Sequence, residues 1–120
     1  MIDHISIGVR DLDASAAFYD TVLGAIGLDR LVTRAGTVGY GKKYPEFWIN
    51  HRPELKTSDS GVHVCLRTRE QAQIDAFHQA ALKAGGASVG APGPRPEYTK
   101  TYYAAFIRDL DGNKIEAVTF

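Results

Sequence analysis

Two histidines, His4 and His63, recur 59 positions apart in the same short context of alternating apolar and polar residues. Around the first, Ile5, Ile7 and Val9 alternate with Ser6 and Gly8; around the second, Val62, Val64 and Leu66 alternate with Cys65 and Arg67. Imidazole titrates near neutral pH and ligates divalent metals, so a pair held on the polar side of equivalent strands can move protons or bind a cation. The remaining histidines lack this setting: His51 falls at a strand end and His78 in a helical pattern. The lone Cys65 allows neither an intrachain disulfide nor a cysteine cluster, and its apolar surroundings suit a small buried hydrophobe.

The elements that must position these residues form a repeat. The same 59-residue shift aligns Ala17-Phe18 with Ala76-Phe77, Leu23 with Leu82, Ala25 with Ala84 and Gly27 with Gly86, without a gap. Each half begins with an alternating strand and runs into a helix with one apolar stripe. The stripes are Ala14, Phe18, Val22 and Ile26 in the first half and Ile74, Phe77, Ala81 and Ala84 in the second. Asp11 or Asp13 can cap the first helix; Thr68 with Gln71 forms a capping-box pattern for the second, which Gly85-Gly86 ends. Strand candidates follow at Arg30–Arg34, Thr37–Gly41 and Glu46–Asn50, with Ala35-Gly36 as a tight turn. In the second half they are Tyr102–Arg108 and Lys114–Thr119, with a weaker one near Ser88–Gly90.

The predicted architecture is therefore α+β: two βαβββ modules in one domain spanning residues 1–120, forming curved mixed sheets around a shared cavity. Module one covers about residues 1–52, the charged segment with Pro53 and Thr57-Ser58-Asp59-Ser60 is a linker over about 53–60, and module two covers about 61–120. Helix-facing residues form the core, while His4 and His63 point into the hollow. A three-residue loop at Leu110-Asp111-Gly112, with Gly112 left-handed, would set Phe106 opposite Glu116 and Ala104 opposite Val118. Tyr102, Ala104 and Phe106 would then share the hollow-facing side with Glu116. The Pro/Gly-rich stretch Gly90–Lys100 is expected to run as a loop along the mouth, presenting Arg95, Tyr98 and Lys100 to a substrate.

The stretch from Asp3-His4-Ile5-Ser6-Ile7-Gly8-Val9 through Phe18-Tyr19 and Val22-Leu23-Gly24 resembles the opening of a vicinal-oxygen-chelate protein. The ending Asp109-Leu110-Asp111-Gly112-Asn113-Lys114-Ile115-Glu116 resembles the closing hairpin of that superfamily, with Leu110 in place of its usual proline. The superfamily includes glyoxalase I, fosfomycin-resistance transferases, bleomycin-binding proteins and extradiol dioxygenases. The resemblance implies metal ligands at His4, His63 and Glu116, with Glu116 also serving as catalytic base. At the second ligand slot, where glyoxalase I has a carboxylate, this chain has Trp48, and where glyoxalase I anchors glutathione with arginine it has Gly8. Two imidazoles and one carboxylate suit Zn(II), Ni(II), Mn(II) or Fe(II) with positions open to substrate. Trp48, Asn50, Tyr102, Phe106, Arg95 and Tyr98 are the expected pocket residues.

The implied function is a divalent-metal-dependent lyase, isomerase, transferase or oxygenase acting on a vicinal-oxygen substrate. The alternative is a non-catalytic protein that sequesters a drug or metabolite. Fourteen basic residues balance fourteen acidic ones, with no basic run, so neither nucleic acid nor a membrane is an expected partner. No segment has the pattern of a leader or a membrane span, which makes the cytoplasm the expected location. Open strand edges and an uncovered sheet face favour a homodimer.

Overall fold

The computed structural model describes all 120 residues. Module one runs β1 (Ile5–Val9), α1 (Leu12–Gly24), β2 (Asp29–Arg34), β3 (Thr37–Gly41) and β4 (Pro45–His51). Module two runs β5 (Val64–Arg67), α2 (Gln71–Lys83), β6 (Ala87–Pro94), β7 (Tyr103–Arg108) and β8 (Lys114–Thr119). The sheets have strand orders β1-β4-β3-β2 and β5-β8-β7-β6, so each is mixed, with its first strand parallel to its last and the other pairs antiparallel. Two βαβββ modules are thus present, in the order the repeat implies.

Alternation sorts the side chains by face. Ile5, Ile7, Val64 and Leu66 pack toward the helices, against a core of 18 buried residues that both modules supply. Phe18, Tyr19, Val22 and Leu23 come from α1, and Ile74, Phe77 and Ala81 from α2. No helix covers the opposite face of either sheet, and on module two Ala104, Glu116 and Val118 of that face are nonetheless buried. Asp11 caps α1 by accepting from the Ala14 amide at 3.0 Å. For α2 the cap is Glu70, not Thr68. Glu70 and Gln73 form the reciprocal box, and Gln73 accepts from the Glu70 amide at 3.1 Å. A longer side chain starting two residues later does the work expected of Thr68.

The segment expected as a loop from Gly90 is strand as far as Pro94. β6 is an edge strand, where proline's missing N–H leaves no ladder bond unmade. Its register against β7 slips between Ser88 and Gly90 and again between Gly90 and Gly93, which absorbs the irregular backbone. The closing hairpin behaves as read from the sequence. Asp109 N donates to Asn113 O at 2.9 Å, Gly112 has φ +92°, and Phe106 pairs with Glu116 and Ala104 with Val118.

The core also buries phenols. Tyr19 is fully buried and donates to Asp109 at 2.7 Å; Tyr40 donates to Ala16 O at 3.0 Å. Burial, joined by Asp109 for Tyr19 and by Asp20 for Tyr40, raises both phenols above their ordinary value near 10. The native state then holds these protons more tightly than the unfolded chain. That stability is intact below about pH 10 and is lost as pH climbs through the native values. Urea unfolding should therefore show a midpoint that falls steeply above about pH 10, and the fall should be shallower in Tyr19→Phe. A flat profile between pH 8 and 11.5 would contradict the burial argument.

Candidate functional site

Module two concentrates its reactive groups on its uncovered face. Cys65, Glu116 and Phe106 form one row across β5, β8 and β7, and Arg67, Val118 and Ala104 form the next. His63 immediately precedes β5, and its Nε2 lies 2.9 Å from Glu116 Oε2. The Glu116 side chain is only 3% exposed, while that of His63 is 35% exposed, so the pair joins a buried carboxylate to an accessible imidazole. The Tyr102 hydroxyl donates to the other carboxylate oxygen, Oε1. Desolvation and the bond to Glu116 raise the Tyr102 phenol, which therefore stays a donor at neutral pH.

Cys65 departs from the buried hydrophobe expected of it. It is exposed on the open face beside Glu116. The signal lay in the alternation: if Val64 and Leu66 face the core, Cys65 must face away. Desolvation and the neighbouring carboxylate push its thiol up to about 12, so it is neutral near pH 7 and is no nucleophile there.

Aromatic walls flank this cluster. Phe106 lies over Gly90, where a Cβ would come within 2.8 Å of the ring, and its centroid is 6.0 Å from that of His63. Tyr98 and Phe120 both meet Tyr102 edge-on, at 5.1 and 5.2 Å. Phe120 was missed in the sequence, although it continues the parity of Glu116 and Val118. Arg95 is more a fastener than a free cation. Its guanidinium donates to the carbonyls of Ala91, Gly93 and Pro94 and stacks over Phe106 at 5.7 Å.

The open face of module one is polar and aromatic. Trp48 sits between Ser6 and Gly39 in the ladder, and its indole lies where a Cβ on Gly39 would be only 2.8 Å away. Arg34 approaches the ring at 5.9 Å. Asn50 donates to Ser6 Oγ at 2.7 Å and accepts from Thr37 Oγ1 at 2.8 Å. His4 is exposed and bonded to Asp3 at 2.7 Å.

Within one chain, then, His63 and Glu116 meet and His4 does not join them. No group of three or more His, Cys, Asp or Glu side chains gathers as a cation site. His4 and His63 do border a common cleft of about 420 Å³ between the modules, but Ile5, Phe47, Val64 and Leu66 also line it. Glu46, Cys65 and Arg67, which face away from the core, line it as well, so the cleft runs along the edges of β1 and β5 and is not confined to one side of the sheets. Neither Trp48 nor Glu116 borders it, and no principal cleft is bounded by both. Residues of both modules thus line one shared cleft, which His4 and His63 border and Glu116 does not.

The donor set still fits a divalent cation. One imidazole nitrogen and one carboxylate oxygen already face each other, and the carboxylate has no Lys or Arg partner. His63 and Glu116 would hold such an ion.

Known proteins agree with this architecture. No curated protein matches the chain. A glyoxalase/bleomycin resistance protein from Albidiferax ferrireducens is 33% identical, with 97% of this chain and 95% of that one covered and a TM-score of 0.85. A glyoxalase/bleomycin resistance protein/dioxygenase family enzyme from Burkholderia phytofirmans shares the fold at 19% identity, with coverage of 98% and 96% and a TM-score of 0.74. A lactoylglutathione lyase from Agrobacterium tumefaciens does so at 21% identity, with coverage of 98% and 92% and a TM-score of 0.68. The model of the Glyoxalase/Bleomycin resistance protein/Dioxygenase superfamily matches residues 1–117, and the chain belongs to that superfamily.

Proposed function

We propose that the protein is a divalent-metal-dependent enzyme acting on a small oxygenated substrate, and that it works as a homodimer. Each site would combine His63 and Glu116 of one protomer with His4 of the partner subunit. The observation that carries this reading is the buried Glu116 carboxylate turned toward an accessible imidazole on a sheet face that no helix covers. Within one chain His4 bonds Asp3 and does not reach the His63–Glu116 pair, which favours completion by a second copy over completion within one chain.

When bound, the cation supplies Lewis-acid stabilisation of negative charge developing on a substrate oxygen. The protein's own groups supply the rest. Tyr102 fixes one oxygen of Glu116 and His63 faces the other, Oε2, which could accept a proton from a substrate carbon or hydroxyl once His63 turned to the cation. Phe106, Tyr102 and Val118 present apolar surface around that oxygen, which limits the water competing for the proton. Trp48 and the Ser6–Asn50–Thr37 chain would form the facing wall, giving an aromatic surface and fixed polar contacts.

Subunit mixing tests the shared site. At a Zn(II) concentration that just saturates the wild type, His4→Ala and His63→Ala homodimers should each stay almost empty. Their randomly exchanged mixture should regain about one quarter of the wild-type metal, because only one of the two sites in each heterodimer is intact. No recovery on mixing would refute the cross-subunit arrangement. Absence of metal binding by the wild-type protein would refute the metal reading and favour sequestration of a small molecule.

A further inference from the structure

We propose that the cleft between the linker and the β7–β8 hairpin binds the anionic group of the substrate, a carboxylate or a phosphate, with Lys114 as its principal cation. This rests on the enzymatic reading of the His63–Glu116 pair and adds a substrate class to it. The cleft has a volume of about 290 Å³, and His63 forms part of its wall. A group bound there lies against His63, the accessible member of the reactive pair.

The charge in the cleft is lopsided in a chain whose overall charge is zero. Lys56, Arg108 and Lys114 line it, opposed by the single carboxylate of Asp59, and Ser58 and Ser60 add hydroxyls. The cations are not equivalent. Arg108 is already committed: it donates to Gly112 O at 2.7 Å and pairs with Asp59 at 3.3 Å. Lys114 takes part in no ion pair, and its ammonium meets the Phe106 ring at 5.2 Å.

Position follows from register. Lys114 opposes Arg108 across the β7–β8 ladder, and the next row on the same face is Glu116 opposite Phe106. The uncommitted ammonium therefore stands one row, two residues along the strand, from the carboxylate proposed as base. An anion on Lys114 would place adjacent substrate atoms over Phe106 and toward Glu116. It would also hold the substrate by a charge-assisted contact remote from the reacting bond, which is an effective way to orient it.

The test uses the metal-free dimer, so that it is independent of cation binding. The protein is titrated at fixed ionic strength with inorganic phosphate and, separately, with lactate, while the His63 ring resonances are followed by NMR. A saturable His63 shift with either anion is expected. A response to phosphate alone assigns a phosphate group, and a response to lactate alone assigns a carboxylate. Lys114→Ala should weaken the binding about fivefold or more, whereas Lys114→Arg should keep it. Lys43→Ala, which removes an exposed lysine between β3 and β4, should leave it unchanged. No saturable shift with either anion overturns the proposal, as does an equal loss in the Lys43 and Lys114 variants. Failure here would leave Zn(II) binding intact, and failure of Zn(II) binding would leave the anion titration intact.

Discussion

Replacing His63 by alanine should weaken divalent-metal affinity by at least about 100-fold, because the cation loses a direct nitrogen ligand. The fold should survive. The His63 side chain is 35% exposed and lies on the open face, so no core contact is lost. Glu116 loses one partner but keeps the Tyr102 hydroxyl, so the stability cost should be about 1 kcal/mol. Isothermal titration with Zn(II) and urea unfolding of the same preparation separate the two effects. The converse substitution is Trp48→Glu, which adds an oxygen donor on the module-one face. In a dimer-shared site it should tighten Zn(II) or Ni(II) binding, although Gly39 then loses the indole that covers it. Metal affinity unchanged in His63→Ala would remove the basis of the proposed chemistry, even with a fully folded variant.

How far the site could be read from sequence depends on whether local pattern or long-range docking decides it. Period-2 alternation assigns faces wherever one face is buried, so Ile5 and Ile7 suffice to turn Ser6 outward, and Val64 and Leu66 to turn Cys65 outward. A single left-handed glycine, Gly112, fixes the hairpin register and thus the Phe106–Glu116 pair. The same logic would have exposed Cys65 and Phe120, had parity been preferred over residue type. The strand near Ser88–Gly90 was legible, but its continuation to Pro94 was hidden because the prolines argue against a strand unless it is known to lie at an edge, and strand order is not a local property. Least legible was how the modules meet. Arg10 reaches Asp111, 101 positions away, through its amide at 2.9 Å and its guanidinium at 3.2 Å. Tyr19 reaches Asp109 across 90 positions. Neither contact has a periodic signature, and together they help set which way each open face points, which decides whether one chain or two complete the site.

That junction should also be the most sensitive polar point in the fold. Asp109 is 6% exposed and accepts from four donors: Tyr19 Oη at 2.7 Å, and the Asp111 amide, the Asn113 amide and Asn113 Nδ2, each at 2.9 Å. Asn113 Nδ2 also donates to Gly8 O at 2.9 Å, so the same knot ties the hairpin to β1. Asp109→Ala removes both acceptor oxygens at once and leaves the Tyr19 hydroxyl, fully buried, without its partner. Each buried donor left unpaired costs about 1–3 kcal/mol, and the hairpin amides can recover part of theirs by relaxing toward solvent, so a loss of about 3–5 kcal/mol is expected. Tyr19→Phe removes only one hydrogen bond and keeps the ring packing against Phe18 and Phe47 at 5.0 and 5.1 Å, so it should cost about 1 kcal/mol. The double variant should lose less than the sum of the two, because the phenol stranded by Asp109→Ala is then gone. Urea-unfolding midpoints of the four proteins give the coupling directly. Additive losses, or an Asp109→Ala protein within about 1 kcal/mol of wild type, would mean that the Asp109 knot does not contribute to docking the two modules.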